Sequence, residues 1–323
     1  MQRLNCDIAI VGGGMVGASL ARALSDLPVT VALVEKNNPT TIASNQSHAS
    51  FDQRTTALSL GSRKVFETLG VWSAIDNQAT AIYKIHVSET GRFGVTLINH
   101  QEENVPALGY TVSNRVLGQA LWQPLVKCSQ LNLLCPATVD GLTHDQGVQM
   151  TVHHQDGEQS LRAKLLVVAD GAHSQLRDQL SVTASKRNYQ QTASVAVIEA
   201  ERPQVHVAFE RFFKHGAIAL LPVQDDCYGL VFVRDSTSAS SASADADILA
   251  CCRQQFGDRL GEWQLLSEFS HYPLALINSQ TLIAERAVII GNAAQTLHPI
   301  AAQGFNLALR DVASLAETIA EHI

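Results

Sequence analysis

Residues 7–17 read Asp-Ile-Ala-Ile-Val-Gly-Gly-Gly-Met-Val-Gly, an apolar run that breaks into glycines at the spacing Gly12-x-Gly14-x-x-Gly17. No other stretch restricts the possible folds as much. A parallel strand covered on both faces reads as a continuous apolar run, and the residues that follow, Met15, Val16, Ala18, Leu20, Ala21, Ala23 and Leu24, suit a small-residue helix. Between strand and helix each glycine has a physical task. Gly12 makes a tight turn, Gly14 lets a pyrophosphate approach the backbone, and Gly17 lets helix and strand pack closely. A second apolar run, 29–34, ends in the acid Glu35. Strand, glycine turn, helix, strand and acid in this order predict a dinucleotide site. The helix N-terminus offers free N–H groups and partial positive charge to the phosphates, and Glu35 accepts from the adenosine ribose. This unit alone does not separate FAD from NAD.

Two later segments favour FAD. Residues 165–168 form an apolar strand ending in Ala169-Asp170-Gly171, so Asp170 stands at a strand's carboxyl end, where open α/β sheets bind ligands. Asp170 also suits a helix N-cap, and the two roles are compatible. Residues 287–290 form another apolar strand, ending in Gly291-Asn292-Ala293-Ala294 and running on to Gln303-Gly304-Phe305-Asn306. A helix over about 304–322 then begins with the N–H groups of Gly304, Phe305 and Asn306, which can face the pyrimidine edge of a flavin and stabilise its reduced, negative form. Arg54, in the segment 51–58, can reach the FAD phosphates as a charge-assisted donor.

The 323 residues suit two lobes better than one core. A helix is expected over 114–128, with strands over 148–154 and 161–168 around the turn Asp156-Gly157. Strand-like stretches at 194–198, 205–209, 217–221 and 228–233 predict a mainly β lobe, and 236–243 a Ser/Ala-rich loop. The aromatic and aliphatic residues of that lobe, Phe209, Phe212, Phe213, Leu220, Pro222 and Phe232, read first as core packing. His215 reads as a turn residue. No apolar run approaches the roughly 18–20 residues needed to span a bilayer. The six cysteines lack CxxC or metal-ligand spacing, which predicts reduced thiols and a cytoplasmic protein. A net charge of −7 argues against a nucleic-acid partner.

With those segments in view, the chain resembles the group A flavoprotein monooxygenases of the para-hydroxybenzoate hydroxylase type, whose GxGxxG, DG and GD motifs fall on the same three segments. Residues 209–216, 272–276 and 291–300 carry the likeness further, toward the members that hydroxylate a polyprenylated phenol in ubiquinone biosynthesis. The resemblance implies an α/β fold. A Rossmann-like FAD-binding domain (1–75, 104–180 and 275–323) would carry an inserted β-sheet substrate domain (76–103 and 181–274). It implies that NAD(P)H reduces FAD and that O2 then gives a C4a-hydroperoxide that hydroxylates the ring. Family members continue some tens of residues further, and the last helix has no C-cap, so the family's C-terminal extension is read as absent. In the family GD motif an Asp contacts the ribityl chain; here Asn292 stands there, and Asn still donates and accepts. Ala302 stands where Gly is common, which adds strain if that backbone needs φ > 0.

The loop with His298 and Pro299 is expected to face the isoalloxazine, where a backbone carbonyl or the imidazole could polarise the phenol; for His298 a structural hydrogen bond is an equal alternative. A transient reductant site is expected near Asp170. Other ubiquinone-biosynthesis proteins, peripheral contact with the inner membrane and homo-oligomerisation are compatible with this picture. Three alternatives stay open: a non-catalytic flavin-fold scaffold for prenylated intermediates or partner enzymes, a hydroxylase of a small soluble phenol, and, ranked lowest for want of a WxWxIP-type motif, a halogenase of the same fold.

Overall fold

The computed structural model describes residues 2–38, 54–145, 147–155, 157–224, 226–236 and 245–323. Residues 51–53 of the Arg54 segment, Asp156 of the expected turn and 237–243 of the Ser/Ala-rich loop lie outside the described residues.

The first strand, Gln2–Val11, has parallel partners on both sides, Gly157–Val168 and Val31–Val34. Ala287–Ile289 adds to Gly157–Val168 and Leu131–Leu134 to Val31–Val34, again in parallel. Alternation along these strands sends side chains into two cores. Ile8, Ile10, Val31 and Leu33 pack with residues of the helices Met15–Leu24, Asn114–Val126 and Gln303–Glu321. Ala9, Val11, Ala32 and Val34 pack with Val148, Met150 and Leu161 of the antiparallel flank. That two-sided burial is why the strands read as unbroken apolar runs. On the first helix Leu20 and Leu24 are fully buried, each stabilising the pairing of helix and sheet by about 1.5–3 kcal/mol.

A second, nine-stranded sheet is organised around Ala184–Ala200. Cys227–Asp235 pairs along one edge of that strand and Ser270–Ser279 along the other. Gly216–Pro222, Val207–Phe213, Lys84–Glu89 and Val95–Asn99 extend the sheet outward from Cys227–Asp235. The helix Asp245–Phe256 covers one face, closing a core that includes Phe209, Leu220, Tyr228, Phe232 and Cys252. Phe209, Leu220 and Phe232 are therefore core residues.

A small sheet of Thr55–Ser59, Gly109–Ser113 and Thr80–Ile82 joins the two. The Thr111 hydroxyl donates to the Pro222 carbonyl, and a Cβ on Gly229 would lie 3.0 Å from Thr55 Oγ1. Two expected boundaries shift. Thr80–Ile82 belongs to the small sheet, so within 76–103 only Lys84–Glu89 and Val95–Asn99 join the large one. The division at 274/275 falls inside Ser270–Ser279, because the partner strand is 17 residues long and holds the pairing as far as Ser279.

Candidate active site

Register sets the geometry of the site. Val11 lies opposite Val34 and Val168, and Val168 opposite Ile289. Three parallel strands thus end at one level, and the loops after Val11, Val168 and Ile289 emerge side by side. They also touch. Gly12, at φ +105°, is backed so closely by the second loop that a Cβ would lie 2.3 Å from the Ala169 carbonyl oxygen. A Cβ on Gly17 would lie 1.9 Å from the Gly12 oxygen, and one on Gly291 3.2 Å from the Val16 methyls. The helix Met15–Leu24 starts from Gly14, which offers no side-chain cap, and its first turn carries no acid. Among the described residues its leading N–H groups therefore have no acidic or capping side chain to meet them, which suits a pyrophosphate. The residues present fit FAD here.

Glu35 is buried, with Oε2 accepting from Gly13 N at 2.6 Å and Oε1 from Asn37 N at 2.8 Å. A carboxylate oxygen accepts more than one hydrogen bond, so Glu35 can also receive a ribose hydroxyl. Gly13, a free position in the fingerprint, is as constrained as its neighbours. Its carbonyl accepts from the buried Trp122 Nε1 at 2.9 Å, and a Cβ would fall 2.5 Å from the Trp122 ring.

Asp170 sits at the strand end with its side chain exposed at the rim. Desolvation by the surrounding loops raises its carboxyl above the usual range, partly offset by hydrogen bonds from Ser174 and the Leu176 amide. The helix that follows, Gln175–Gln179, is capped by Ser174, whose hydroxyl accepts from Arg177 N at 3.0 Å, so Asp170 is not its N-cap. The buried Arg177 donates from Nη1 to the Ala293 carbonyl at 3.1 Å and so ties the second loop to the third. Asn292 keeps an exposed side chain. At the last helix, a Cβ on Gly304 would meet no described atom within 4 Å beyond its chain neighbours and its own helix backbone, and the Phe305 ring packs toward Phe66, with centroids 6.3 Å apart.

The Asn306 side chain is fully used inside the protein. Its Oδ1 accepts from Ser59 N (2.8 Å) and Ser62 Oγ (2.6 Å), and its Nδ2 donates to Ala57 O (2.9 Å) and Ala302 O (2.7 Å). Only its backbone can serve a flavin, while its amide locks the helix start to the small sheet. One of those bonds holds Ala302, which adopts φ +49° and ψ +34°. A left-handed alanine costs about 1–2 kcal/mol, and glycine adds about 0.5–1 kcal/mol of chain entropy. Ala302→Gly is therefore expected to stabilise the protein by about 0.5–1 kcal/mol, raising its thermal midpoint by about 1–2 °C. A lower midpoint in a thermal melt would contradict the strain.

Arg54 lies with its guanidinium over the Tyr272 ring of the large sheet, 4.7 Å from the centroid. His298 is fixed by a chain of bonds that begins at a bulge. The register of Ala184–Ala200 shifts between Asn188 and Gln191, with Gln190 at φ +56° and its N–H held by Asn188 Oδ1. Past the bulge, Gln191 Nε2 donates to Asp235 Oδ1 at 3.1 Å, which leaves Gln191 Oε1 to accept from His298 Nε2 at 3.0 Å. His298 Nδ1 in turn accepts from Ile300 N at 3.4 Å. Both ring nitrogens are engaged, and burial lowers the imidazole's pKa, so the ring is neutral. The geometry is that of a structural strut. Pro299 starts the short turn Ile300–Ala302, and its carbonyl accepts from Ala302 N at 3.2 Å. His215, as expected of a turn residue, is exposed and meets Asp235 at 3.2 Å.

Sequence reasoning passed over Glu210. In the strand Val207–Phe213 it is the one acid, and burial alone pushes its carboxyl up to about 7. An acid alternating with apolar residues in a strand was the available signal.

The sequence matches the family described as an FAD binding domain over residues 5–323. It is 34% identical to the ubiquinone hydroxylase UbiL of Rhodospirillum rubrum, over 97% of this chain and 72% of that protein. It is 31% identical to the 3-demethoxyubiquinol 3-hydroxylase of Escherichia coli, over 97% of this chain and 79% of that one. Among solved structures, a PqsL variant from P. aeruginosa superposes with a TM-score of 0.83 at 20% identity, covering 98% of this chain and 86% of that one.

Proposed function

The chain belongs to the FAD binding domain family, and from that premise we propose that it is an FAD-dependent monooxygenase. In this reading it uses NAD(P)H and O2 to hydroxylate the ring of a polyprenylated phenol in ubiquinone biosynthesis. The observation that carries this reading is the alignment of three touching loops over an uncapped helix start. The names of the relatives supply the substrate class.

Bound FAD supplies the oxygen-activating redox chemistry. The chain's residues supply the rest. Gly12, Gly14, Gly17 and the first helix receive the pyrophosphate, Glu35 the ribose, and Asp170, Gly291 and Asn292 the polar centre of the cofactor. The start of the last helix, at Gly304, Phe305 and Asn306, presents its amides to the flavin's pyrimidine edge. His298 and Pro299 hold the loop beside the ring, and Arg54 spans the small sheet and Tyr272. The large sheet forms the substrate lobe within a discontinuous FAD-binding lobe. A groove of about 580 Å³ beside Gly171, lined by His173, Lys186 and Asp178 among others, supports NAD(P)H docking near Asp170. Among the described residues no helix is long and apolar enough to cross a membrane. Peripheral contact with a membrane or with neighbouring biosynthetic enzymes would deliver so apolar a substrate.

The test is direct. Purified protein is expected to carry flavin and to oxidise NAD(P)H faster when a prenylated phenol is present. A yellow protein indifferent to every such phenol would instead support a non-catalytic scaffold.

A further inference from the structure

Resting on that reading for the reason a membrane is met at all, we infer that the hairpin 84–99 is the element with which the chain touches an anionic lipid bilayer. Lys84–Glu89 and Val95–Asn99 pair antiparallel at the outer end of the large sheet, and Val95–Asn99 is its edge strand. The turn between them carries Phe93, which at 109% relative exposure gains no cover from the fold. Gly91 at φ +78° and Gly94 at φ +105° flank it, and a Cβ on either would meet no described atom within 4 Å beyond its chain neighbours. Val95 and Leu97 follow at 57% and 50% exposure. Three bare apolar side chains so close together are not the scattered exposure of an ordinary surface.

Register shows what accompanies them. Val95 lies opposite Ser88, and Ser88 opposite Arg211. Leu97 lies opposite His86, and His86 opposite Phe209. Residues directly opposite share a face. It is the face under the helix Asp245–Phe256, since Phe209 enters that core and Arg211 Nε donates to the Gln255 carbonyl at 2.8 Å. The helix covers Phe209 but leaves Val95 and Leu97 bare. Two arginines border them. Arg211 Nη1 donates to Ser88 Oγ at 3.1 Å, and Arg259 Nη1 to His86 Nε2 at 2.7 Å. The turn is anchored from below, where Thr90 N donates to the Phe212 carbonyl at 2.8 Å.

The charge beside the bare strip has one sign. Alternation sends Glu89 and Glu210 to the other face of their strands. Among the described residues neither the half-buried Arg211 nor the exposed Arg259 meets a carboxylate. Arg92, in the turn, pairs with Glu89 at 3.0 Å, and Asp258 and Glu262 are taken by Arg253. In a chain of net charge −7, an apolar strip beside two unmatched arginines is complementary to an anionic surface. Glu102 and Glu103 follow the far end of the edge strand, roughly 16 Å from the turn. A bilayer met tip first does not meet them.

Shape and charge select the occupant. Phe93 stands on a protruding tip, and a bilayer interface accepts such a ring without a matching pocket. A second copy paired edge to edge would bring a second set of the same arginines beside the first and gain only a five-residue ladder. Burying a phenylalanine side chain tightens binding roughly 10–10²-fold, and each arginine near an anionic surface roughly fivefold. The electrostatic share is screened by salt.

The test is sedimentation of the flavin-loaded protein with vesicles. Wild type is expected to bind vesicles of mixed phosphatidylcholine and phosphatidylglycerol, and to bind about tenfold more weakly to phosphatidylcholine alone or in about 0.5 M salt. Phe93→Ser is expected to bind the anionic vesicles about 10–10²-fold more weakly. Its flavin content and thermal midpoint are expected to match wild type, because the fold gains nothing from that ring. Ile283→Ser removes another bare residue, 69% exposed at the edge of the other sheet, and is expected to bind like wild type. A wild type that stays in solution beside anionic vesicles overturns the assignment and leaves the tip to a protein partner. Phe93→Ser that binds as tightly as wild type overturns it as well. A wild type that is dimeric, and monomeric as Phe93→Ser, gives the tip to a second copy and overturns it too. Hydroxylation of a tailed phenol without vesicles reads the enzyme separately. If hydroxylation succeeds while vesicle binding fails, the hairpin assignment falls alone. If it fails while Phe93-dependent binding holds, the proposed function falls and the contact stands.

Discussion

Gly17→Leu is expected to purify without flavin. A Cβ at this position lies 1.9 Å from the Gly12 carbonyl oxygen and 3.1 Å from its carbon, and those atoms are backbone. No rotamer relieves such an overlap, so the turn must open. The same turn aims the first helix at the pyrophosphate and holds Gly12 against Ala169, so opening it separates two of the three loops. Flavin released by denaturation, measured against protein concentration, reads the effect. Gly61→Ala is the control, because its nearest neighbour to a Cβ is Ser59 Oγ at 3.7 Å, and it is expected to keep a full complement of flavin. Stoichiometric flavin in Gly17→Leu would contradict the placement of the turn.

The second large effect concerns the substrate tail. The face of the large sheet opposite the helix Asp245–Phe256 presents Val87, Ala219, Val231, Val195 and Phe212. A phenolic ring alone is too small to use so much apolar surface. Each buried CH2 contributes about 0.8 kcal/mol, so one five-carbon isoprenoid unit contributes about 3–4 kcal/mol when fully enclosed. That is roughly 10²–10³-fold in apparent affinity. Phenols bearing no, one and two isoprenoid units are expected to stimulate NAD(P)H oxidation at successively lower concentrations. An apparent affinity indifferent to tail length would make a small soluble phenol the better substrate class.

The FAD-binding segments were legible in the sequence because their strands are buried on both faces, so apolar runs and glycine spacing carry the signal directly. The left-handed backbone at Ala302 could be anticipated for a similar reason: a position where glycine is usual implies positive φ. Other features depend on partners distant in sequence. Only 194–198 of Ala184–Ala200 read as a strand, because its first half carries Ser185, Lys186, Arg187 and Asn188, which are exposed and held by backbone pairing with Ser270–Ser279. Asn306 read as a backbone N–H at the helix start, and nothing local announced that its side chain satisfies four groups inside the protein. His298 read equally as catalyst or strut, and the bulge at 188–191 that aims Gln191 at it has no local signature. Glu210 was visible as a lone acid in an apolar strand, but periodicity cannot say which face a helix will cover. The helix Asp245–Phe256 decides that, and it follows the strand by more than thirty residues.

The most direct measurement of the central claim is the fate of molecular oxygen. Protein reconstituted with FAD, supplied with NAD(P)H, 18O2 and a phenol carrying an isoprenoid tail, is expected to yield a ring-hydroxylated product containing one 18O atom for each NAD(P)H consumed. Product without the label, or NAD(P)H consumed with hydrogen peroxide as the sole oxygen product for every tailed phenol tried, would contradict it.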